Sequence, residues 1–402
     1  MAVVGAGIVG ASIALALQKR GARVLLIDRD EPGHGCSYGN SGAISPGSVA
    51  PMAMPGVLAS VPGMLLDDES PLYLPAGYVL RALPWLARFV ASATRERVSA
   101  SATALAALHA NAAENHLALA REIGVAELVV RRGHLHLYPN RAALAKDAAG
   151  WRLREAHGFH HEHLDRDGIL ALEPKIGDRY RTGVFLADHA TIVNPFRYVQ
   201  AMVRAFVSRG GSVHRDEVQS LSTRSDGRWH LASSQACDTT KPAFDHVVVA
   251  AGAWSKPLLD PLGLRLALES QRGYHVQFHG GRDTVSRTVV LADRKVFVTP
   301  MEDGLRVGGT VEIGGLERPP DMRRAAVLER IARETFSGLD GLRSTPWMGH
   351  RPCMPDSVPV IGPVAGRPGL WVAVGHGHLG LTDSVNTAQR IADGLMGTAT
   401  VA

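Results

Sequence analysis

Residues 3–28 read VVGAGIVGASIALALQKRGARVLLID, and the pattern of this stretch decides the fold around it. The two valines at its start end a short buried strand, and residues 11–19 continue as an apolar helix. Residues 23–27 then have the composition of a second buried strand. The order strand, helix, strand predicts a complete βαβ unit with parallel strands. We therefore expect an α/β fold of the Rossmann type that is organised around this unit.

A G-x-G-x-x-G turn made by Gly5, Gly7 and Gly10 joins the first strand to the helix, and Asp28 ends the second strand. Gly5 permits the tight turn, Gly7 lets a pyrophosphate approach the backbone, and Gly10 lets the helix pack closely on the strand. Asp28 lies where an acidic residue accepts hydrogen bonds from an adenosine ribose. The spacing predicts a dinucleotide site, with a purely structural glycine turn as the alternative. Because Asp stands at the ribose end, FAD or NAD is favoured over NADP.

The length and composition favour two domains and argue against a nucleic-acid partner. The chain has 402 residues, 46% of them hydrophobic, and such a length usually exceeds one core. The net charge is +5, but no basic run is interleaved with aromatic residues, so nucleic-acid binding is not expected. A mildly basic surface suits an anionic substrate or an anionic membrane face. The cysteines are Cys36, Cys237 and Cys353; their odd number and wide spacing favour a reducing compartment. We expect a cytoplasmic protein, and no signal or transit peptide, because the nucleotide fold begins at the first residues.

Residues 33–47, GHGCSYGNSGAISPG, form a loop rich in glycine, serine and asparagine. A loop of this length is uncommon inside a compact domain unless it binds something. Its Ser37, Asn40 and Ser45 side chains and its backbone amides are predicted to line the rest of the cofactor. An ordinary surface loop is the alternative.

Residues 48–91 are apolar but are interrupted by prolines, so no stretch is long enough to cross a bilayer. We expect a lid over a substrate domain, or a hydrophobic patch that docks on a membrane. A long alanine-rich helix is predicted to follow from about Ser99 to Ile123. The histidines within 157–165, HGFHHEHLD, have no helical i, i+4 pair beside a general base, so surface histidines are favoured over a metal site.

The second half of the chain is predicted to return to the first sheet and then to build another one. Residues 194–210 predict an amphipathic helix with Asn194 as its cap, followed by a strand over 212–221 and a buried strand within 245–255. Residues 266–315 alternate like the strands of an antiparallel sheet. GHGHLG, within 375–380, precedes a final helix, and no following strand with an acidic residue could make it a second dinucleotide fingerprint. We expect that helix to direct its N-terminus at an electron-rich group.

Seven motifs in this order resemble the family of flavin-dependent amine and D-amino-acid oxidoreductases, and most of all the bacterial D-amino-acid dehydrogenases. They are GAGIVGASIALAL with Asp28, CSYGNSGAISPG, VVVAAGAWS, QRGYHV, RVGGTVEI, HRPCMPDSVPVIG and GHGHLGLT. The resemblance runs from end to end. It implies FAD as the cofactor and a Rossmann-like FAD-binding domain of the glutathione-reductase type with a second α+β substrate domain built on an antiparallel sheet. The expected boundaries are 1–48, 190–265 and 347–402 for the FAD-binding domain and 49–189 and 266–346 for the substrate domain.

The resemblance also assigns site residues. The expected catalytic or substrate residues are Arg351, as the clamp for the substrate carboxylate, Tyr274 and His376. The expected FAD-binding residues are Gly5, Gly7, Ile8, Val9, Gly10, Asp28, Arg29, Ser37, Asn40, Ser41, Gly42, Ile44, Val218, Ala251, Gly252, Trp254, Arg351, Gly377, His378, Leu379, Gly380, Leu381 and Thr382. Two positions depart from the family pattern: His189 replaces the usual acidic residue, and Cys353 stands where Met is common. A covalent flavin link at Cys353 is disfavoured against a buried neutral thiol.

The implied reaction is FAD-dependent oxidative deamination of a small amino acid, a D-amino acid above all, to the imino acid and then the 2-oxo acid. The electrons are expected to pass to a quinone or another carrier, with dioxygen as the alternative. Open alternatives are an oxidase or dehydrogenase of a secondary amine such as D-hydroxyproline, sarcosine, glycine or an opine, with or without partner subunits, and a non-enzymatic flavin-binding assembly subunit. Contact with the inner face of the cytoplasmic membrane is a further expectation.

Overall fold

The structure is a computed structural model, and it describes residues 1–56, 72–234 and 242–397. The predictions for residues 57–71, within the apolar segment 48–91, and for Cys237 fall outside these ranges. The strands are β1 Ala2–Val4, β2 Leu25–Asp28, β3 Ala43–Ile44, β4 Leu72–Tyr73, β5 Val129–Val130, β6 His134–Tyr138, β7 Glu162–Leu164, β8 Thr182–Leu186, β9 Ala190–Ile192, β10 Ser212–Arg215, β11 Val218–Thr223, β12 Trp229–Ser233, β13 Val247–Val249, β14 Glu269–His279, β15 Thr288–Leu291, β16 Val296–Met301, β17 Gly304–Ile313, β18 Ser344–Cys353, β19 Val360–Pro363 and β20 Leu370–Val374. The α-helices are α1 Ile8–Lys19, α2 Val79–Ala91, α3 Arg95–His109, α4 Ala112–Glu122, α5 Arg141–Lys146, α6 Ala148–Ala156, α7 Arg166–Leu172, α8 Pro195–Ser208, α9 Ser255–Leu259, α10 Arg323–Thr335 and α11 Gly380–Met396.

The first sheet has the strand order β10-β2-β1-β13-β20-β19. Its strands run parallel, except that β19 is antiparallel to β20. Helices α1, α8 and α11 pack together on one face, and the shared core includes Ile13, Leu17, Val199 and Ile391. Parallel strands are buried on both faces, which is why β1, β13 and β20 are almost wholly apolar. The predicted βαβ unit and its return through β13 are confirmed.

The second sheet has the strand order β18-β14-β17-β16-β15-β6-β8-β7, with β4 beside β17. Neighbouring strands are antiparallel from β18 to β15, and β15 runs parallel to β6. Helix α10 packs on one face, where Leu328 and Phe336 join the core. The predicted antiparallel sheet is confirmed. The boundary expected between residues 346 and 347 falls inside β18, so this strand belongs to the second sheet along its whole length.

The predicted single helix from Ser99 to Ile123 is wrong, because the chain forms α3 and α4 with a break between them. Asn111 at the break has a left-handed φ of +54°, a conformation that Asn tolerates better than most residues. The break turns His109 and His116 inward, where they contact the carbonyls of Pro46 and Leu381. Among the described helices, none is long and apolar enough to span a membrane.

The two sheets meet where the end of β18 reaches the turn between β20 and α11. The Gly377 N–H donates to the Pro352 carbonyl at 2.8 Å, and Cys353 forms a β-bridge with His376. This junction brings the RP-x-x-PD segment of the second sheet against the glycine-rich turn of the first. The candidate site lies along this junction.

Candidate active site

A cavity of about 370 Å³ lies at the carboxyl ends of β1, β13 and β20, where ligands bind in open α/β sheets. It is lined by many of the predicted FAD residues: Gly5, Gly7, Ile8, Val9, Asp28, Arg29, Ser37, Asn40, Val218, Ala251, Gly252, Trp254, Gly377, Gly380 and Leu381. His376, a predicted catalytic residue, also lines it. The other predicted residues do not line this cavity: Gly10, Ser41, Gly42, Ile44, Tyr274, Arg351, His378, Leu379 and Thr382.

The glycine turn fits a dinucleotide for steric reasons that differ from one glycine to the next. Gly5 has a φ of +105°, and a Cβ there would lie 2.4 Å from the Ala250 oxygen. A Cβ at Gly10 would lie 1.8 Å from the Gly5 oxygen, so Gly10 is required by packing of the protein on itself. At Gly7 the nearest protein atom would be the Ser37 Oγ at 3.4 Å, an ordinary contact distance. Gly7 is therefore open on the cavity side, as close approach of a diphosphate requires.

Asp28 is held at the edge of the cavity by backbone donors. Its Oδ2 accepts from the Ala6 N–H at 2.5 Å, and its Oδ1 accepts from the Asp30 N–H at 3.0 Å. Burial raises the pKa of this carboxyl above its usual value, and the two backbone donors oppose that shift. Each carboxylate oxygen has a further lone pair with which to accept from a ribose hydroxyl.

The loop over residues 33–47 is tied to both sheets. Ser37 Oγ accepts from the Ile8 N–H at 2.9 Å, at the start of α1. Arg306 of β17 donates to the carbonyl of Asn40 at 2.6 Å, and Ser45 N–H donates to the Thr382 Oγ1 at 3.1 Å. These contacts account for a long loop with little regular structure inside the domain.

The turn before α11 has some of its backbone N–H groups bonded within the protein and others free. Two of its N–H groups are occupied: Gly377 donates to the Pro352 carbonyl, and Leu379 donates to the His376 carbonyl. Within the described residues, the N–H groups of His378 and Gly380 have no protein acceptor. These two N–H groups lie at the positive N-terminus of α11. They can therefore donate hydrogen bonds to negative charge on a bound ring.

Arg351 of β18 lies flat across the second sheet, above a position that has no side chain. A Cβ built on Gly273 would be 2.1 Å from the Arg351 Cζ. Its Nη1 donates to the Thr310 carbonyl at 2.8 Å, and its Nη2 lies 3.4 Å from the Gly309 carbonyl. Burial lowers the pKa of this guanidinium below its usual value, yet an arginine remains charged in proteins. The guanidinium does not line the cavity, but its charge lowers the pKa of the lining residue Cys36 against the effect of burial, so Arg351 lies near the cavity.

Cys36 and Cys353 flank Arg351, and both are neutral thiols. Burial raises the pKa of Cys36 to about 11 and that of Cys353 to about 12, against an opposing effect of the guanidinium. A neutral thiol is a poor nucleophile, which agrees with the expectation of a non-covalent cofactor.

The structure does not bring Tyr274 to Arg351. Side chains alternate between the faces of a strand, and Tyr274 points to the face of β14 that packs under α10, opposite the face on which Arg351 lies. Its hydroxyl donates to Glu312 and accepts from the Asp321 N–H at 3.0 Å. Glu312 in turn pairs with Arg272 at 3.0 Å, and both of these side chains are fully buried. Tyr274 thus belongs to a buried polar network of the second sheet, which corrects its assignment to the substrate site.

His376 and His378 are both neutral. His376 Nε2 lies 3.0 Å from the Thr387 Oγ1, and burial lowers its pKa. Burial lowers the pKa of His378 to about 4, and Arg351 adds to that shift. Neither ring contributes a second positive charge beside Arg351 at neutral pH.

His189, which replaces the usual acidic residue, anchors the end of the loop over residues 33–47. Its Nε2 accepts from the Gly47 N–H at 3.1 Å, so the proton is on Nδ1, which donates to His134 Nδ1 at 3.1 Å. His134 Nε2 then donates to the Ala190 carbonyl at 2.8 Å. These partners assign both tautomers and require both rings to be neutral.

Some lining residues were not predicted. Cys36, His350 and Asp216 with its neighbours Glu217 and Gln219 face the cavity. Asp216 could have been predicted, because it directly follows β10, whose carboxyl end lies beside that of β2. No local pattern predicted His350, whose ring meets that of Trp254 edge-on at 5.1 Å.

The predicted cluster of surface histidines needs one correction. His161 packs its ring 4.9 Å from that of Trp151, and its side chain is only 1% exposed. In the part of the chain that the structure describes, no group of three or more His, Cys, Asp or Glu side chains is arranged to hold a metal ion.

We expect the free energy of unfolding to fall steeply as the pH drops from 7 to 5. Burial lowers the pKa of His116, His134, His350 and His378 to about 4 and that of His275 to about 3. Between pH 6.5 and 4 the unfolded chain binds protons that the folded chain does not. Each such histidine then lowers the free energy of unfolding by at most about 1.4 kcal/mol per pH unit. Urea unfolding midpoints at pH 7 and 5, with saturating FAD, measure this, and an unchanged midpoint would contradict it.

Comparison with known proteins places the chain in a family. The profile of the FAD dependent oxidoreductase family matches residues 1–394. A D-amino-acid oxidase from Bradyrhizobium diazoefficiens is 37% identical over 99% of this chain and 95% of that protein. D-amino acid dehydrogenase 2 from Ralstonia nicotianae is 34% identical over 97% of this chain and 95% of that protein.

Solved structures agree on the fold. Glycine oxidase from Geobacillus kaustophilus superposes with a TM-score of 0.75 at 20% identity, over 100% of this chain and 95% of that one. Iminodiacetate oxidase from Chelativorans sp. gives 0.72 at 23% identity, over 100% of this chain and 96% of that one. The chain belongs to the FAD-dependent oxidoreductase family. The predicted family, fold class and FAD cofactor are confirmed.

Proposed function

We propose that this protein oxidises a small D-amino acid to its imino acid, which water then hydrolyses to the 2-oxo acid and ammonia. Relatives that match along nearly the whole chain carry the names D-amino-acid oxidase and D-amino acid dehydrogenase. The observation that carries the proposal is the placement of Arg351, a buried guanidinium beside the cavity that fits FAD.

Arg351 would hold the substrate carboxylate. A planar guanidinium binds a carboxylate through two parallel hydrogen bonds, which fix the position and rotation of the molecule. The backbone carbonyls of Gly309 and Thr310 accept two of its five N–H groups, and the other three remain for the ligand. A carboxylate so held keeps its Cα–H bond in one orientation.

The cavity residues would hold FAD, which accepts the hydride of the Cα–H bond when it is bound. Gly5 and Gly7 would face its diphosphate and Asp28 its ribose. The N–H groups of His378 and Gly380 would lie beside the ring and stabilise negative charge on it. His378 is neutral and adds no second positive charge beside Arg351.

For the electron acceptor we propose a quinone or another carrier, reached by a peripheral contact with the membrane. Helix α2 leaves Leu80 81% and Leu83 49% exposed, and the exposed Arg81 and Arg88 lie beside them. Apolar and basic side chains on one helix face suit the interface of an anionic bilayer. Dioxygen is the second candidate, because the 37% identical relative is named an oxidase.

The test begins with anaerobic mixing of the FAD-loaded protein with D- and L-amino acids, D-hydroxyproline, sarcosine and glycine. We expect the flavin absorbance to bleach with small D-amino acids. The reduced protein is then mixed with air-saturated buffer, with a soluble quinone analogue, or with anionic vesicles that carry a quinone. We expect the quinones to reoxidise it faster than dioxygen does. The double variant Leu80→Asp, Leu83→Asp should slow reoxidation by the vesicles and leave the soluble quinone rate unchanged.

Each part of the proposal has an outcome that contradicts it. Bleaching by L-isomers alone, or by secondary amines alone, would overturn the substrate assignment. Reoxidation by dioxygen as fast as turnover would show that dioxygen, and not a carrier, is the electron acceptor. Equal reoxidation rates with vesicles for the double variant and the unmodified protein would show that Leu80 and Leu83 do not contact the membrane.

A further inference from the structure

Thr310 has a backbone conformation that a threonine rarely adopts. Its φ is +60°, and the other non-glycine residues with positive φ in the described ranges are Asn111, Lys295 and Ser357. Thr310 is the β-branched member of this set, and a β-branched residue in that region is a true outlier. Such strain persists only where the surrounding structure imposes it, and it concentrates at functional sites.

A β-bulge places Thr310 there. The pairing of β14 with β17 shifts from Arg272 opposite Glu312 to Tyr274 opposite Gly309. Thr310 and Val311 therefore both face the single residue Gly273. The left-handed position of a bulge is usually occupied by glycine, and glycines occupy the two preceding positions of β17. The strained position nevertheless carries a threonine.

The bulge directs backbone carbonyls at the guanidinium of Arg351. Thr310 O lies 2.8 Å from Nη1, and Gly309 O lies 3.4 Å from Nη2. Gly273, on the opposite strand, leaves the space in which the guanidinium lies. The strained residue thus fixes the orientation of the group that would hold the substrate carboxylate.

The side-chain hydroxyl of Thr310 takes no part in this contact with Arg351. Thr310 is 6% exposed, and its Oγ1 is buried with no hydrogen-bond partner among the described residues. Other buried threonines in the second sheet do have partners, since Thr288 Oγ1 lies 2.9 Å from that of Thr191 and 3.5 Å from that of Thr299. A buried hydroxyl without a partner is costly, so its retention beside a charged guanidinium points to a ligand that completes it.

We propose that Thr310 is a second ligand of the substrate carboxylate, with its hydroxyl donating to the carboxylate that Arg351 holds. The inference rests on the proposed function and deepens it. Thr310 would then have two roles: its carbonyl orients the guanidinium, and its hydroxyl adds a further hydrogen-bond donor. The bulge and the Thr310 hydroxyl together would select the orientation of the carboxylate as well as its negative charge.

The test uses FAD-loaded protein and 2-methylalanine, an amino acid that has no hydrogen on Cα and therefore cannot be oxidised. Its dissociation constant is measured by titration of the flavin absorbance. Thr310→Val keeps the branched shape and the backbone strain but loses the hydroxyl, and we expect binding to weaken about 10-fold or more. Thr310→Ser keeps the hydroxyl and should stay within about 3-fold of the unmodified protein. Thr299→Val, a buried threonine of β16, is the matched control and should leave the constant unchanged.

A thermal melt without ligand separates this role from a structural one. Removal of a hydroxyl that lacks a partner should leave Tm unchanged or raise it by about 2 °C, whereas loss of a structural hydrogen bond would lower it. With a reducible D-amino acid, Thr310→Val should raise KM by the same factor as the dissociation constant and leave kcat within about 3-fold.

The outcomes distinguish this inference from the function on which it rests. If no amino acid bleaches the unmodified protein, the proposed function fails. If D-amino acids bleach it but Thr310→Val leaves both KM and the dissociation constant unchanged, the inference about Thr310 is wrong. Equal weakening by Thr310→Val and Thr310→Ser would also overturn it, because the hydroxyl would then not be the cause.

Discussion

Replacement of Arg351 by lysine is expected to raise KM for the amino-acid substrate by about 30- to 1000-fold and to leave the FAD content unchanged. Lysine keeps the positive charge but loses the planar fork, and the loss of a bidentate contact costs about 2 to 4 kcal/mol. The ammonium also cannot reach both the Gly309 and the Thr310 carbonyls in the geometry of the guanidinium. Steady-state kinetics give KM, and the ratio of flavin to protein absorbance gives FAD content.

Gly273→Ala should reproduce the effect of Arg351→Lys without any change of charge. The new methyl group would lie 2.1 Å from the Arg351 Cζ, so the guanidinium must leave its place. Gly77→Ala is the matched control, because a Cβ there meets no atom within 4 Å and its φ is not positive. Unaltered steady-state constants in Arg351→Lys, or in Gly273→Ala, would show that this guanidinium does not bind the substrate.

Gly10→Ala and Gly7→Ala are expected to fail in different ways. At Gly10 the methyl group would lie 1.8 Å from the backbone oxygen of Gly5, so helix α1 and the glycine turn must separate. We expect a protein that is strongly destabilised with or without FAD, by more than the roughly 1 to 3 kcal/mol of ordinary overpacking. At Gly7 the methyl group would meet only the Ser37 Oγ, at 3.4 Å, so the apoprotein should fold normally.

The effect of Gly7→Ala should appear when FAD is added. A methyl group there occupies the space through which a diphosphate reaches the backbone, and we expect FAD to bind about 10- to 100-fold more weakly. Thermal melts of the apoproteins and fluorescence titrations with FAD measure the two quantities. If Gly10→Ala melts like the unmodified apoprotein, the tight helix contact is not essential. If Gly7→Ala binds FAD normally, the diphosphate does not lie at this turn.

Features that depend on local spacing could be predicted from the sequence. The βαβ unit follows from two apolar strands around a helix, and Gly5, Gly7, Gly10 and Asp28 are fixed relative to one another within it. The alternation over residues 266–315 identified the antiparallel sheet for the same reason, because a strand repeats every two residues. Family resemblance added Arg351, which the structure places beside the cavity.

The faces of the long strands could not be predicted. Tyr274 and Gly273 are adjacent in sequence, yet one packs under α10 and the other lies under the guanidinium of Arg351. Which face meets the first sheet is set by the register of β14 against β18, a relation between segments about 75 residues apart in the chain. A shift of one residue in that register would exchange the two roles.

The sequence by itself determined the nucleotide-binding unit, the type of both sheets and the family, because each follows from residues close together in the chain or from motifs in a fixed order. Only the tertiary structure decided that Asn111 breaks a helix, that His189 and His134 anchor the loop over residues 33–47, and that Thr310 is strained beside Arg351. Each of these depends on partners from distant segments. Packing between elements imposes hydrogen-bond partners, bulges and left-handed residues. The conformational preferences of the local sequence therefore do not predict them.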